Sequence, residues 1–507
     1  MLRKTRIILA AVFYVLITLL FLDFTGTLHA WLGWTAKIQF LPALLALNVL
    51  VVVALVVLTL VFGRIYCSII CPLGVMQDII AWLGRRGHRN RYGFSPERKR
   101  LRYALLAFMV VTLVAGLVPL AALIAPYSSY GRIAANLMQP VYIGVNNLLA
   151  MAAEHVGSYA FYERDVWVRS WATFGVAAAT FVIIAVMAWR GGRTYCNTVC
   201  PVGTLLGILS RFSWLKIRLD TNKCTGCRLC ERNCKSACID IKNRKVDYSR
   251  CVVCGDCLDK CRFGGLTYTS RRPARTADAP SRKGDRAEVD TSKRAFLLGA
   301  VTAAATAAIA EDKVKFDGGL AKIEDKVSPE RQTRLTPPGS MSARHMAQHC
   351  TACQLCVAEC PNDVLRPSTS PGTFMQPVMS YERGYCRPEC TRCSEVCPTG
   401  AIKPITRAEK SAIHTGHAVW IRKNCVPVTD GQPCGNCARH CPTGAITMVP
   451  LYPEEQKDGG KDEEKSRLMI PVVNEEMCIG CGACENLCPS RPFPAIYVEG
   501  HEVHRKG

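Results

Sequence analysis

Residues 224–234 read C-T-G-C-R-L-C-E-R-N-C and residues 251–261 read C-V-V-C-G-D-C-L-D-K-C. Both are C-x2-C-x2-C-x3-C, the spacing of two-cluster ferredoxins, in which three cysteines of a run hold one [4Fe-4S] cubane and the fourth crosses to the other. Thiolates are soft ligands suited to iron–sulfide, and two-residue gaps let one tight loop aim three sulfurs at three corners. The expected ligand sets are therefore Cys224, Cys227, Cys230 and Cys261, and Cys251, Cys254, Cys257 and Cys234. Zinc sites use paired C-x2-C knuckles rather than four-cysteine runs, so zinc is set aside. The proline that usually follows the fourth cysteine is missing; Lys235 and Arg262 stand there. Cys238 aligns with the alanine of the later C-P-T-G-A-I, so it reads as a small packed residue and not a ligand.

Four further groups follow. They are Cys350, Cys353, Cys356 and Cys360; Cys386, Cys390, Cys393 and Cys397; Cys425, Cys434, Cys437 and Cys441; and Cys478, Cys481, Cys484 and Cys488. All four end in Cys-Pro, which describes a two-cluster ferredoxin repeated twice. Gly435, Gly480 and Gly482 fall where backbone N–H groups can approach cluster sulfurs. The 29 cysteines thus cluster at ligand spacing, unlike the scattered pairs of a disulfide scaffold. With no nucleotide, flavin or C-x-x-C-H haem motif beside them, six clusters read as an electron wire.

The first part of the chain has another character. Four apolar runs, 7–22, 41–62, 103–125 and 171–189, approach or reach the roughly 20 residues that a bilayer-crossing helix needs. Arg3, Lys4 and Arg6 precede the first; Arg64 and a series from Arg85 to Arg102 separate the second and third; Arg190 and Arg193 follow the fourth. The loops 23–40 and 126–170 carry few positive charges. Positive loops stay cytoplasmic, so the N-terminus is expected inside and the chain inside again by residue 190. Residues 311–507 hold equal numbers of basic and acidic side chains, so the net charge of +23 falls entirely in 1–310. Beside apolar runs and without any nucleic-acid motif, that charge reports membrane topology and not nucleic-acid binding.

One motif occurs twice. G-R-I-Y-C-S-I-I-C-P-L-G begins at Gly63 and G-R-T-Y-C-N-T-V-C-P-V-G at Gly192, each after an apolar run. C-x3-C sets two thiols one helical turn apart, so Cys67, Cys71, Cys196 and Cys200 can converge. Three readings stay open: a further metal or cluster site, a redox thiol pair, or structural cysteines at a helix end. Arg64 and Arg193 are expected to snorkel as membrane-face anchors, or to meet a lipid phosphate or quinone headgroup.

Residues 271–294 are basic, rich in Pro, Ala, Asp and Ser, and read as a linker. The stretch 290–312 then has the layout of an export signal: Lys293-Arg294, an Ala-rich apolar run, and Ala308-Ile309-Ala310. As a fifth crossing, 295–310 would carry 311–507 outside. The expected architecture is a four-helix membrane domain (1–215) with a fifth helix (295–310), an α+β bacterial ferredoxin-like domain (216–270), and a doubled ferredoxin-like four-cluster domain (311–507).

Residues 1–270 resemble the NapH-type membrane ferredoxins, on the four runs, the paired C-x3-C-P motifs and the segment 224–261. Residues 290–507 resemble the NapG-type four-cluster ferredoxins, on the signal-like segment, the four groups and the long Cys425–Cys434 gap. The resemblance implies a multi-pass protein of the bacterial inner membrane, with its C-terminal domain periplasmic. It would draw electrons from the quinol pool, as a quinol dehydrogenase component, and pass them to a periplasmic reductase or cytochrome. Two other roles stay open: assembly or regulation of a metalloenzyme, and electron entry from cytoplasmic donors. Analogy with four-cluster subunits implies nested exchange of fourth cysteines, group one with group four and group two with group three.

Overall fold

A computed structural model describes residues 2–87, 92–270, 324–451 and 468–507. The expected linker 271–294 and fifth helix 295–310 lie outside the described residues. The principal helices are α1 (Leu2–Leu22), α2 (Val49–Phe62), α3 (Pro72–Gly87), α4 (Lys99–Val114), α5 (Gln139–His155), α6 (Trp171–Gly191) and α7 (Pro201–Ser210).

Two of the four apolar runs form uninterrupted helices. α1 and α6 each have 21 residues, long and apolar enough to cross a bilayer. The other two are broken by turn chemistry that a hydropathy reading does not see. Leu47 takes φ 52°, and the Asn48 side chain caps α2 by accepting from Val51 N–H at 3.3 Å. Gly116, at φ 74°, separates α4 from a short helix at Val118–Ile124. The expected loop 126–170 is also different: it contains a helix at Pro126–Ile133, a π segment at Ala134–Met138, and α5. Asn146 and Asn147 interrupt the apolar pattern of α5, which hid it from sequence reading.

The bundle core packs Ile17, Leu20 and Phe21 of α1 against Tyr127 and Tyr130, with Phe21–Tyr127 ring centroids 6.0 Å apart. Burying each such side chain contributes roughly 1.5–3 kcal/mol. The opposite side of α1 leaves Ile7, Ile8, Leu9, Val12, Val15 and Leu19 exposed.

The first ferredoxin domain pairs β1 (Lys216–Leu219) with β4 (Leu266–Thr269), and β2 (Ile239–Asp240) with β3 (Lys245–Val246), all antiparallel. The second pairs β5 (Leu365–Pro367) with β6 (Pro377–Met379), β7 (Ile413–Trp420) with β10 (Ile496–Lys506), and β8 (Ile446–Pro450) with β9 (Met469–Val473).

The two ferredoxin domains dock at opposite ends of α1. At its start, Arg3 reaches Asp256 at 3.0 Å and Asp259 at 3.2 Å in the first domain. Just past its end, Arg392 of the second domain donates to the Thr25 carbonyl at 2.9 Å. A helix of this length spans about 30 Å.

Candidate metal centres

In the first ferredoxin domain, Cys224, Cys227, Cys230 and Cys261 line one cavity. Cys257 faces Cys254, Cys234 and Cys251. The fourth cysteine of each run thus crosses to the other, because β2–β3 turns the chain back between the runs. Cys238 is packed, as its alignment with alanine suggests, but its sulfur also touches the second set. Its Sγ lies 3.5 Å from Cys234 Sγ. This hydrogen bond pulls the Cys234 thiol down to about 7.

In the second domain, Cys356 faces Cys350, Cys353 and Cys397, and Cys393 faces Cys386, Cys360 and Cys390. Cys437 faces Cys434, Cys425 and Cys488, while Cys441 lines a cavity with Cys478, Cys481 and Cys484. The exchange is therefore sequential, and the nested expectation is corrected. The cause is local: the β5–β6 hairpin folds group one onto group two, and β8–β9 folds group three onto group four. β7 and β10 flank groups three and four and pair with each other, closing the second repeat.

These sets fit cubanes. Tetrahedral zinc would hold sulfurs ~3.8 Å apart, given bonds of about 2.3 Å. Among the described residues, no three cysteine sulfurs lie within 4.8 Å of one another. Backbone N–H groups point at sulfur, as in Ala352 to Cys350 at 3.4 Å, Ile402 to Cys397 at 3.4 Å and Ala495 to Cys488 at 3.3 Å. Gly480 N–H likewise faces Cys478. Burial pushes the Cys254, Cys353 and Cys481 thiols up to about 12, so their thiolates need the positive charge that iron supplies.

The four cysteines of the repeated motif are brought together. Cys67, Cys71, Cys196 and Cys200 are buried, and Cys200 faces the other three. Each motif's arginine crosses to the other motif. Arg64 Nη2 donates to the Cys196 carbonyl at 3.2 Å, and Arg193 Nη1 donates to the Cys67 carbonyl. Both arginines have no exposed surface. Their expected contacts with lipid or quinone are thus corrected: these are internal braces, since Arg64 finds the Cys196 and Ser249 carbonyls and Asn197 Oδ1 inside the fold, and Arg193 the Cys67 carbonyl and the Asp78 carboxylate. Gly203 makes room for the crossing; a Cβ there would lie 2.8 Å from Arg64 Nη2.

Sequence reading missed the network that fastens this quartet to the first ferredoxin domain. Asp78 receives Arg193 through both carboxylate oxygens at 2.7 Å, Arg6 at 2.8 Å and Lys235 at 2.9 Å. Burial alone would raise its carboxyl, but Arg193, Lys235 and Arg6 outweigh that and hold it well below the usual carboxylate range. One signal was available: Asp78 is the sole acidic residue in 64–96, amid basic ones. On the other side of the quartet, Tyr127 stands between Tyr66, the neighbour of Cys67, and Cys353 and Cys397 of the second domain. Asn136 donates to Gln354 Oε1 at 2.7 Å there, and Gln139 to the Ala358 carbonyl at 3.1 Å.

Comparison with known proteins agrees with this layout. A family described as 4Fe-4S binding domain matches residues 44–90 and 173–221, the two halves that carry the quartet, and a 4Fe-4S dicluster domain matches 432–491. The ferredoxin-type protein NapG of Escherichia coli is 32% identical over 199 residues, covering 37% of this chain and 82% of NapG. The chain belongs to the NapG family of ferredoxin-type proteins. It is also 28% identical over 244 residues to the putative electron transport protein YccM of E. coli, covering 46% of this chain and 59% of YccM. It is 47% identical over 77 residues to an uncharacterized protein of Methanocaldococcus jannaschii, covering 15% of this chain and 30% of that protein. The chain thus spans less than two thirds of the length of those two relatives. No solved structure matches it.

Proposed function

We propose that this iron–sulfur protein, a fusion of a NapH-type membrane part with a NapG-like part, carries electrons from quinol through six [4Fe-4S] clusters to a periplasmic reductase or cytochrome. The supporting observation is the order of redox-capable groups. Ser249 of the first ferredoxin domain accepts from Arg64 beside the cysteine quartet, Tyr66 adjoins the quartet, and Tyr127 adjoins both Tyr66 and the Cys353/Cys397 set. The exposed apolar side of α1 suits lipid, and the two docking ends suit the two faces of a bilayer. In this reading the quartet holds a further redox centre, and the name of YccM, a putative electron transport protein, agrees in kind.

The clusters, when bound, supply one-electron carriers. The chain's part is to hold them in fixed order, exclude water, and aim N–H groups at sulfur. The test is anaerobic. Menaquinol, then ubiquinol, is added to oxidised protein in detergent, and cluster bleaching and reduced-cluster EPR are followed. Reduction by either quinol is expected. Failure of both, with dithionite bleaching intact clusters, overturns the quinol role and favours metalloenzyme assembly or cytoplasmic electron entry. Protease added to spheroplasts should digest the part from residue 324 onward; protection there overturns the topology.

A further inference from the structure

Where the second ferredoxin domain meets the end of α1, three side chains converge that no cluster uses. Ligand atoms of Asp23, His29 and Glu359 all lie within 4.8 Å of one another. Glu359 is the unexplained member. It is 1% exposed, and neither carboxylate oxygen has a hydrogen-bond partner. A buried carboxylate with no hydrogen-bond partner on either oxygen is costly.

The other two members are aimed. Asp23 Oδ1 accepts from Thr25 N–H at 3.0 Å, Thr25 Oγ1 at 2.7 Å and Gly26 N–H at 2.9 Å, while Oδ2 accepts only from Leu28 N–H at 2.7 Å. His29 Nε2 pairs with Glu395 Oε2 at 2.7 Å, and its Nδ1 is buried without a partner. A carboxylate on one ring nitrogen with the other left free is the arrangement that orients a metal-binding histidine.

We propose that Asp23, His29 and Glu359 bind one divalent transition-metal cation, which ties the four-cluster domain to the end of α1. One imidazole and two carboxylates suit Zn2+, Mn2+ or Fe2+ and disfavour the all-oxygen preference of Ca2+ and Mg2+. The ligands come from both sides of the contact: Asp23 and His29 from the stretch after α1, Glu359 from beside Cys360. The cation would give the Glu359 oxygens the partner they lack and link two parts of the chain that otherwise meet through few ion pairs. This inference does not depend on the direction of electron flow or on quinol.

The test uses the full chain with its clusters. Anaerobically purified protein is incubated with Zn2+ or Mn2+, desalted, and analysed for metals and acid-labile sulfide. About one equivalent of Zn2+ or Mn2+ per chain is expected, or iron exceeding sulfide by about one where Fe2+ already fills the site. His29→Ala and Glu359→Gln should each lower that equivalent at least tenfold with sulfide unchanged. Glu359 adjoins a cluster cysteine, so should Glu359→Gln lose sulfide, His29→Ala alone decides. Absence of the extra metal from the unsubstituted protein overturns the proposal, as does full retention in His29→Ala. A zinc-edge absorption spectrum with sulfur neighbours also overturns it, since the metal would then sit on cysteines.

Discussion

Arg64 crosses from the first G-R-x-Y-C motif to the second and donates to the backbone carbonyl of Cys196 at 3.2 Å. The same guanidinium donates to Asn197 Oδ1 at 3.0 Å and the Ser249 carbonyl at 2.9 Å. It therefore joins both repeats to the first ferredoxin domain. Lysine carries one nitrogen and cannot place donors at the two separate positions that Nη1 and Nη2 of Arg64 occupy. Arg64→Lys should cost about 1.5–3 kcal/mol. Faster maleimide labelling of Cys67, Cys71, Cys196 and Cys200 would report it; unchanged labelling would mean that the brace is dispensable.

Asp78→Asn should be more severe. It leaves Arg193, Arg6 and Lys235 buried without their shared counter-charge, a loss of about 3–5 kcal/mol. Hydrogen exchange in residues 216–270 should rise, because Lys235 also pairs with Asp256 of that domain at 3.3 Å. Exchange rising only within α3 would show that the network is local.

Cys397→Ala distinguishes the two modes of exchange. With sequential exchange it removes the cluster held by Cys350, Cys353 and Cys356, while the cluster held by Cys386, Cys390 and Cys393 keeps its Cys360. Iron should fall by about four atoms per chain, with one reduced-cluster EPR signal lost. Paired with Cys356→Ala, the two variants should lose the same signal, because both remove a ligand of one cluster. Loss of different signals from the two would favour nested exchange.

His504 gives the second ferredoxin domain an acid limit. Burial, with the charge of His501 adding, pushes its imidazole down to about 4, and its Nε2 lies 2.9 Å from Thr336 Oγ1. The unfolded chain takes that proton near pH 6.5, the folded chain only near 4. The unfolded state binds more protons between these values, so stability is full above pH 6.5 and is lost as pH falls toward 4. In His504→Gln the cluster-bleaching rate should depend less steeply on pH across that window. An unaltered profile would assign the acid sensitivity to other groups.

The cysteine groups, the two kinds of domain and the convergence of the quartet were all legible in spacing, because cluster ligation fixes residues at short intervals in the chain. What escaped the sequence was decided by local turns and by long-range charge. Leu47 and Gly116 break two apolar runs through backbone conformation, which hydropathy does not record. Arg64 and Arg193 looked like surface anchors because their acceptors are backbone carbonyls on the other repeat, 132 and 126 residues away. The order of cluster exchange depended on two hairpins whose strands, such as Leu365–Pro367, are too short to show a period-two pattern.

The crossed arginines have an evolutionary corollary. A half-length chain with a single G-R-x-Y-C motif would have a buried arginine with no carbonyl to meet and only two of the four thiols. It could satisfy both only against a second copy of itself, by a two-fold exchange in which each arginine reaches the other copy's cysteine. The doubled motif of this protein has the geometry of a homodimer interface made covalent. The two halves can diverge where the crossed contacts of Arg64 and Arg193 do not reach, but those contacts tie them together.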